Sequence, residues 1–144
     1  MSYNIRPERL TADEYINFLK TTNLGSQYPK ERFRQRIETL VSKVPVSLVA
    51  RDENGTVIGA VFGITDFAYW LFVTDLGVAR DWEKKGVGTA LLKQAHEAAG
   101  GEKDIAMYLV ANSDAIAFYE KFGMWKTGEV MEYNHIDWTP FTVE

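Results

Sequence analysis

The sequence predicts an α/β chain organised on a mixed β-sheet, and two observations carry that expectation. In the first half, Asn54-Gly55 separates two apolar, β-branched runs, which is the strongest short-range signal for an antiparallel hairpin. In the second half, strand-like runs alternate with segments of helical periodicity, the pattern of parallel strands joined by helical crossovers. At 144 residues the chain is most simply one domain over 1–144, long enough to bury a real core.

Each element has its own reason. Residues 3–6 suit a short first strand closed by Pro7. Thr11 and Glu14 have capping-box spacing, opening a helix that turns Tyr15, Phe18 and Leu19 inward. Asn23-Leu-Gly25 breaks it, and Pro29 is placed to begin a second helix with Phe33, Ile37, Leu40 and Val41 on its apolar face. The cations Lys30, Arg32, Arg34 and Arg36 interleave with carboxylates there and read as a solvated face. Residues 46–51 and 57–65 form the hairpin strands. The apolar run 69–73 leads a further strand up to Val78, and Val87, Ala90, Leu91, Ala95 and Ala98 then recur at helical spacing until Gly100-Gly101. Residues 105–110 read as a strand, residues 114–121 as a helix ended by Gly123, and residues 124–138 as one or two final strands. The sum is a central sheet of six to seven strands with about four helices.

Composition narrows the function classes. Hydrophobic residues make up 46% and charged residues 25%, as in ordinary globular proteins. A net charge of −4 disfavours nucleic acid and mildly favours cationic partners. With no cysteine there is no disulfide, thiolate metal site or catalytic thiol, and no metal cluster is expected. The N-terminal residues lack the apolar core of a signal peptide and no window has the length of a membrane span, so a cytoplasmic location is expected.

The most informative stretch is 75–92: strand end, charged glycine loop, helix start. A helix N-terminus presents unpaired N–H groups to an anion, and Gly86 and Gly88 leave the backbone approachable. Lys84 and Lys85 add positive charge. The P-loop pattern is absent, because no Lys-Ser or Lys-Thr follows either glycine. The dinucleotide fingerprint is absent too, since Leu91 stands where a third glycine would be required. A tight ligand-free turn is the plain alternative.

Two separated segments together resemble the GCN5-related N-acetyltransferases. Asn112-Ser-Asp-Ala115-Ile-Ala-Phe-Tyr119-Glu-Lys-Phe-Gly123-Met is similar to that family's N-x-x-A-x-x-x-Y-x-x-x-G-F signature, with Met124 at the final position. Glu83-Lys-Lys-Gly86-Val-Gly88 is similar to its Q/R-x-x-G-x-G/A acetyl-coenzyme A motif, with Glu83 in place of Gln or Arg. The element order β-α-α-β-β-β-α-β-α-β-β is also the family's. The resemblance implies acetyl-coenzyme A as acyl donor and direct transfer to a primary amine without a metal.

Carried over by motif, the resemblance implies that Leu76, Gly77 and Val78 hold the pantetheine arm and polarise the thioester. Lys84, Lys85, Gly86, Val87, Gly88 and Thr89 would take the pyrophosphate. Asn112 would contact the pantetheine or cap the following helix. Tyr119 would protonate the departing thiolate, its alternative being a core tyrosine. Asp75 is the candidate base, although strand alternation puts its facing in question. Asp66, His135 and Glu132 are further candidates, His96 reads as an exposed helix residue, and a water chain would also serve. Tyr28, Phe33, Tyr69, Trp70 and Tyr133 are the expected walls of an acceptor pocket. A small cationic amine is the favoured acceptor, against a protein lysine or N-terminus, or a coenzyme A-sensing module without turnover. A homodimer is left open.

Overall fold

The computed structural model describes residues 2–139 and 141–144. Its strands are β1 (Tyr3–Pro7), β2 (Val46–Asp52), β3 (Val57–Thr65), β4 (Trp70–Val78) and β5 (Ala106–Leu109), and its helices are α1 (Ala12–Leu19), α2 (Phe33–Lys43), α3 (Val87–Ala99) and α4 (Ile116–Phe122). The strands lie in sequence order in one sheet. β1 to β4 pair antiparallel, and β4 pairs with β5 in parallel through α3. The mixed sheet is therefore as expected.

Alternation along the strands splits the core into two layers. Leu48, Val61, Leu71 and Val73 pack with Leu91, Leu92 and Ala95 of α3 on one face. Val49, Ala60 and Phe62 pack with Tyr15, Phe18, Leu19, Ile37 and Val41 of α1 and α2 on the other. The capping box at α1 is formed in both directions, Glu14 N–H to Thr11 Oγ1 at 3.1 Å and Thr11 N–H to Glu14 Oε1 at 3.0 Å. The 54–55 turn closes with Gly55 at φ +81°, and Asp52 Oδ1 accepts from the N–H groups of Asn54 and Thr56.

Three expectations need correction. α2 begins at Phe33, not Pro29: Lys30 N–H is drawn to Thr139 C=O at 3.1 Å, and Arg32 sits in the left-handed region at φ +52°. α4 begins at Ile116, after a 3₁₀ turn at Ser113–Ala115. The final strands over 124–138 do not form, so five strands are present among the described residues. Residues 125–139 are all exposed and lack a second strand or a core to pack against. The chain returns at Phe141, whose ring is 5.0 Å from Phe33, and at Val143, which is buried with α1 and α2.

Candidate active site

The centre of the site is made by a mismatch in strand length. β5 pairs with β4 only from Trp70↔Ala106 to Val73↔Leu109, whereas β4 continues to Val78 against β3. Beyond Val73 the sheet therefore parts, and Thr74, Asp75, Leu76, Gly77 and Val78 have no β5 partner on that side. Backbone N–H and C=O groups left unpaired along such an edge need partners from elsewhere. An extended amide-bearing chain such as pantetheine fits that requirement.

A β-bulge settles where Asp75 points. Phe62 pairs with Asp75 and Gly63 with Val73, leaving Thr74 as the extra residue on β4. Without it Asp75 would join Leu71 and Val73 on the α3 face. With it Asp75 turns to the α1–α2 face, a standard effect of a bulge. The carboxylate is buried, at 9% exposure. Tyr28 Oη donates to Asp75 Oδ1, and Thr74 Oγ1 donates to Oδ2 at 2.7 Å. Tyr28 spends its proton on Asp75, so Tyr15 Oη is the donor in the 2.7 Å contact between the two phenols. Burial raises the Asp75 carboxyl above the ordinary carboxylate value, against the opposing pull of the Tyr28 and Thr74 hydroxyls. Burial and then the neighbouring acidic groups push the Tyr28 phenol well up, while burial first and Asp75 second raise Tyr15.

The glycine loop follows β4. Lys84 at φ +61° and Gly86 at φ +85° turn the chain into α3, which has no side-chain cap. The first helical bond there is Ala90 N–H to Gly86 C=O at 3.0 Å, so the amides of Val87, Gly88 and Thr89 precede the ladder. A Cβ on Gly86 would meet nothing within 4 Å, which leaves open space over this turn. Gly88 differs: its added Cβ would stand 3.1 Å from Phe118 Cζ and 3.7 Å from Val78 Cγ2. Gly88 thus also has to be small because α4 and the end of β4 meet there. Gly77 is similar, since its Cβ would be 3.0 Å from Leu24 Cδ2 and 3.3 Å from Phe18 Cε2. Lys85 Nζ lies 5.8 Å from the Trp82 ring centroid, a cation–π distance.

α4 brings Tyr119 to the same junction. Its ring is 5.1 Å from that of Phe118, it packs on the α3-side core, and burial raises its phenol above the usual value. It is therefore protonated at neutral pH. Asn112 is exposed at the head of the 3₁₀ turn and makes no side-chain cap bond; its carbonyl, not its amide, receives Ala115 N–H at 2.9 Å.

The other candidates scatter. Tyr28 and Phe33 pack edge to face at 5.9 Å beside Asp75. Trp70 lies on β4 against Tyr108 of β5, ring centroids 5.4 Å apart. Tyr69 stands in the turn before β4, and Tyr133 is 92% exposed with its ring 4.6 Å from His135. Among the described residues no hydrogen bond or ring contact joins Tyr69 or Tyr133 to Asp75. Asp66 is occupied by the N–H groups of Ala68, Tyr69 and Trp70 at 2.8–3.0 Å, which lower its pKa and make it a turn cap. Glu132 binds Asn134, at a distance from the core. His96 is half-buried rather than exposed, its Nε2 2.6 Å from Ile105 C=O. Tyr15, Thr74, Phe72 and Tyr108 were not singled out as site residues by sequence. Their roles depend on the bulge and on the register of β5, neither of which leaves a local signal.

No helix among the described residues is long and apolar enough to cross a membrane, and none of their acidic or histidine side chains group as a metal site would require. A family model described as the acetyltransferase (GNAT) family matches residues 10–124. Several solved structures share the fold. One is a GNAT family acetyltransferase from Streptococcus pneumoniae TIGR4, with TM-score 0.70, 16% identity, and 94% of this chain and 100% of that one covered. Glucosamine-6-phosphate N-acetyltransferase from Arabidopsis thaliana gives 0.63, 18%, 94% and 100%. AAC(6')-Iy, in complex with the bisubstrate analogue CoA-S-monomethyl-acetylneamine, gives 0.67, 16%, 93% and 98%. At these identities the likeness is one of fold. No curated protein matches the chain. With 10–124 of its 144 residues matched by that one model, the chain belongs to the acetyltransferase (GNAT) family.

Proposed function

We propose that the protein transfers an acetyl group from acetyl-coenzyme A to a small primary amine in one direct step. The observation that carries this reading is the convergence at Gly88. The unpaired end of β4, the uncapped start of α3 and the α4 helix bearing Tyr119 all meet there.

The donor's residues follow from the chemistry of its parts. The amides of Val87, Gly88 and Thr89, with Lys84 and Lys85 close by, suit the pyrophosphate. Glu83 contributes no donor when ionised, so the backbone carries this contact. The unpaired β4 segment from Leu76 to Val78 suits the pantetheine amides, and Asn112 offers an exposed amide at the other side of the split. When bound, the cofactor supplies an acyl thioester already activated toward amines.

The chain's own residues then manage protons. An alkylammonium titrates near about 10.4 and must be deprotonated before it is nucleophilic. Asp75, its carboxyl raised by burial, is the acceptor for that proton. Tyr119, kept neutral by burial, is the donor for the leaving thiolate. No cysteine is present to carry the acetyl group, which favours direct transfer.

The same lack of cysteine makes the test simple, because every thiol that appears is coenzyme A. Incubation with acetyl-coenzyme A and a panel of small amines should release thiol only when an amine is present, with one acetylated amine per thiol by mass spectrometry. Release only with lysine-bearing peptides would move the acceptor class to proteins. Coenzyme A binding without release under any condition would leave a sensing module.

A further inference from the structure

One face of the sheet at the head of the split is apolar, aromatic and uncovered. Ile64, Phe72 and Tyr108 stand in register across β3, β4 and β5, and Trp70 lies beside Tyr108 at 5.4 Å. Leu71 and Val73 are buried against α3, so Trp70 and Phe72 project to the opposite face by strand alternation. α1 and α2 do not reach this far, and the four side chains keep between 37% and 55% of their surface. Trp70, Phe72 and Tyr108 form a shelf. Just past it on the same face, across the Thr74 bulge, comes Asp75.

We infer that the acceptor is a primary amine carried on an aromatic body, an arylalkylamine, whose ring lies on the Trp70–Phe72–Tyr108 shelf and whose ammonium reaches the Tyr28–Asp75 pair. This rests on the acetyl-transfer reading above. Three features support it. First, Phe72 pairs with Ile64 and Asp75 with Phe62, two β3 residues apart because Thr74 is the extra residue of the bulge, so their spacing is about 7 Å at 3.3 Å per residue, on the scale of a ring plus a short alkylammonium tail. Second, Asp75 makes no ion pair with any cation among the described residues, so its charge lacks a counter-ion that an ammonium would supply. Third, the shelf offers flat π-faces and few polar groups. A polyamine would need several carboxylates there, and the one beside Trp70, Asp66, is already taken by the N–H groups of Ala68, Tyr69 and Trp70.

The proton route is also fixed by the hydrogen bonds. Tyr28 Oη already donates to Asp75 and accepts from Tyr15, with one lone pair left. The substrate ammonium donates to that lone pair. As its N–H bond breaks, Tyr28 passes its own hydroxyl proton to Asp75 Oδ1 and takes the substrate's in return. Asp75 ends neutral, Tyr28 unchanged, and the amine free to form the C–N bond as the thioester C–S bond breaks. Tyr28 is then the group that touches substrate, and Tyr15 positions it.

The test is calorimetric titration of amines into the protein saturated with coenzyme A, which has no acetyl group to transfer. 2-Phenylethylamine should bind at least tenfold more tightly than n-propylamine, and spermidine no better than n-propylamine. Phe72→Ala, at an exposed position, should bring phenylethylamine to within threefold of propylamine. Tyr28→Phe should lower kcat with phenylethylamine while leaving its affinity within a few-fold. Equal binding of the two amines by the unaltered protein, or an undiminished preference in Phe72→Ala, would overturn the inference. So would a concentration-dependent dimer whose interface buries the shelf. Thiol release separates this from the broader reading: turnover of non-aromatic amines without discrimination leaves acetyl transfer standing and removes the shelf. Tight phenylethylamine binding with no release does the reverse.

Discussion

Gly88 lies directly against Phe118, close enough that an added Cβ would stand 3.1 Å from the ring's Cζ. The two residues come from the two motifs that flank the site, and this contact fixes α4, with Tyr119, against the start of α3.

The first prediction uses that contact. Gly88→Ala must push the Phe118 ring away and should destabilise by about 1–3 kcal/mol, the usual range for overpacking. In a Phe118→Ala background most of that penalty should vanish, giving a clear coupling in a double-mutant cycle. Gly86→Ala should cost about 1–2 kcal/mol from its left-handed backbone. Nothing lies within 4 Å of its added Cβ, so Phe118→Ala should not alter that cost. Urea denaturation of the five variants measures both. Additive behaviour at Gly88 would break the link between the motifs.

The second prediction concerns Tyr119. Tyr119→Phe keeps the ring against Phe118 and the α3-side core and removes only the hydroxyl. Coenzyme A thiolate leaves fairly well unprotonated, since an ordinary thiol titrates near about 8.5. The loss in kcat should therefore sit toward the low end of the roughly 10²–10⁴ range for general acids. The KM for acetyl-coenzyme A should hardly move. Steady-state kinetics with a melting curve decide it: unchanged turnover would make the hydroxyl idle.

Much of this was legible in the sequence because the signals are local. The Thr11–Glu14 capping box, the Asn54-Gly55 turn and the Gly100-Gly101 stop need only neighbouring residues to be read, and all three are in place. The glycine loop was legible as a helix start that turns through Gly86. What was not legible depends on pairing between distant residues. Strand alternation alone leaves the facing of Asp75 open, and only the Phe62–Thr74–Asp75 register, set by β3, turns it to the α1–α2 face. That Gly88 also makes room for Phe118, thirty residues on, is invisible from the loop. Residues 124–138 were expected to form strands, but a strand needs a pleated partner to fit against, and none is there among the described residues. Pro29 suited a helix start, yet tertiary pairing of Lys30 with Thr139 took precedence.

The third prediction follows from the raised Asp75 carboxyl. A carboxyl raised on folding binds its proton more tightly in the native than in the unfolded chain. Stability therefore falls as pH rises from the unfolded value, near about 3.9, through the higher native one. Asp75→Asn removes that cost while keeping an acceptor for Tyr28. Its melting temperature relative to the unaltered protein should thus climb as pH is raised through that window. Melting curves from pH 4 upward test the sign; a relative fall with rising pH would mean that Asp75 is stabilised as an anion.

The most direct measurement is product formation by the unaltered protein and Asp75→Asn side by side, following acetylated amine by mass spectrometry and free thiol together. The unaltered protein should make one amide per thiol. Asp75→Asn should lose roughly 10²–10⁴ in turnover, as for removal of a general base, while its coenzyme A affinity stays within about twofold. Equal turnover in the two proteins would contradict the role given to Asp75, and coenzyme A binding with no amide from any amine would contradict acetyl transfer itself.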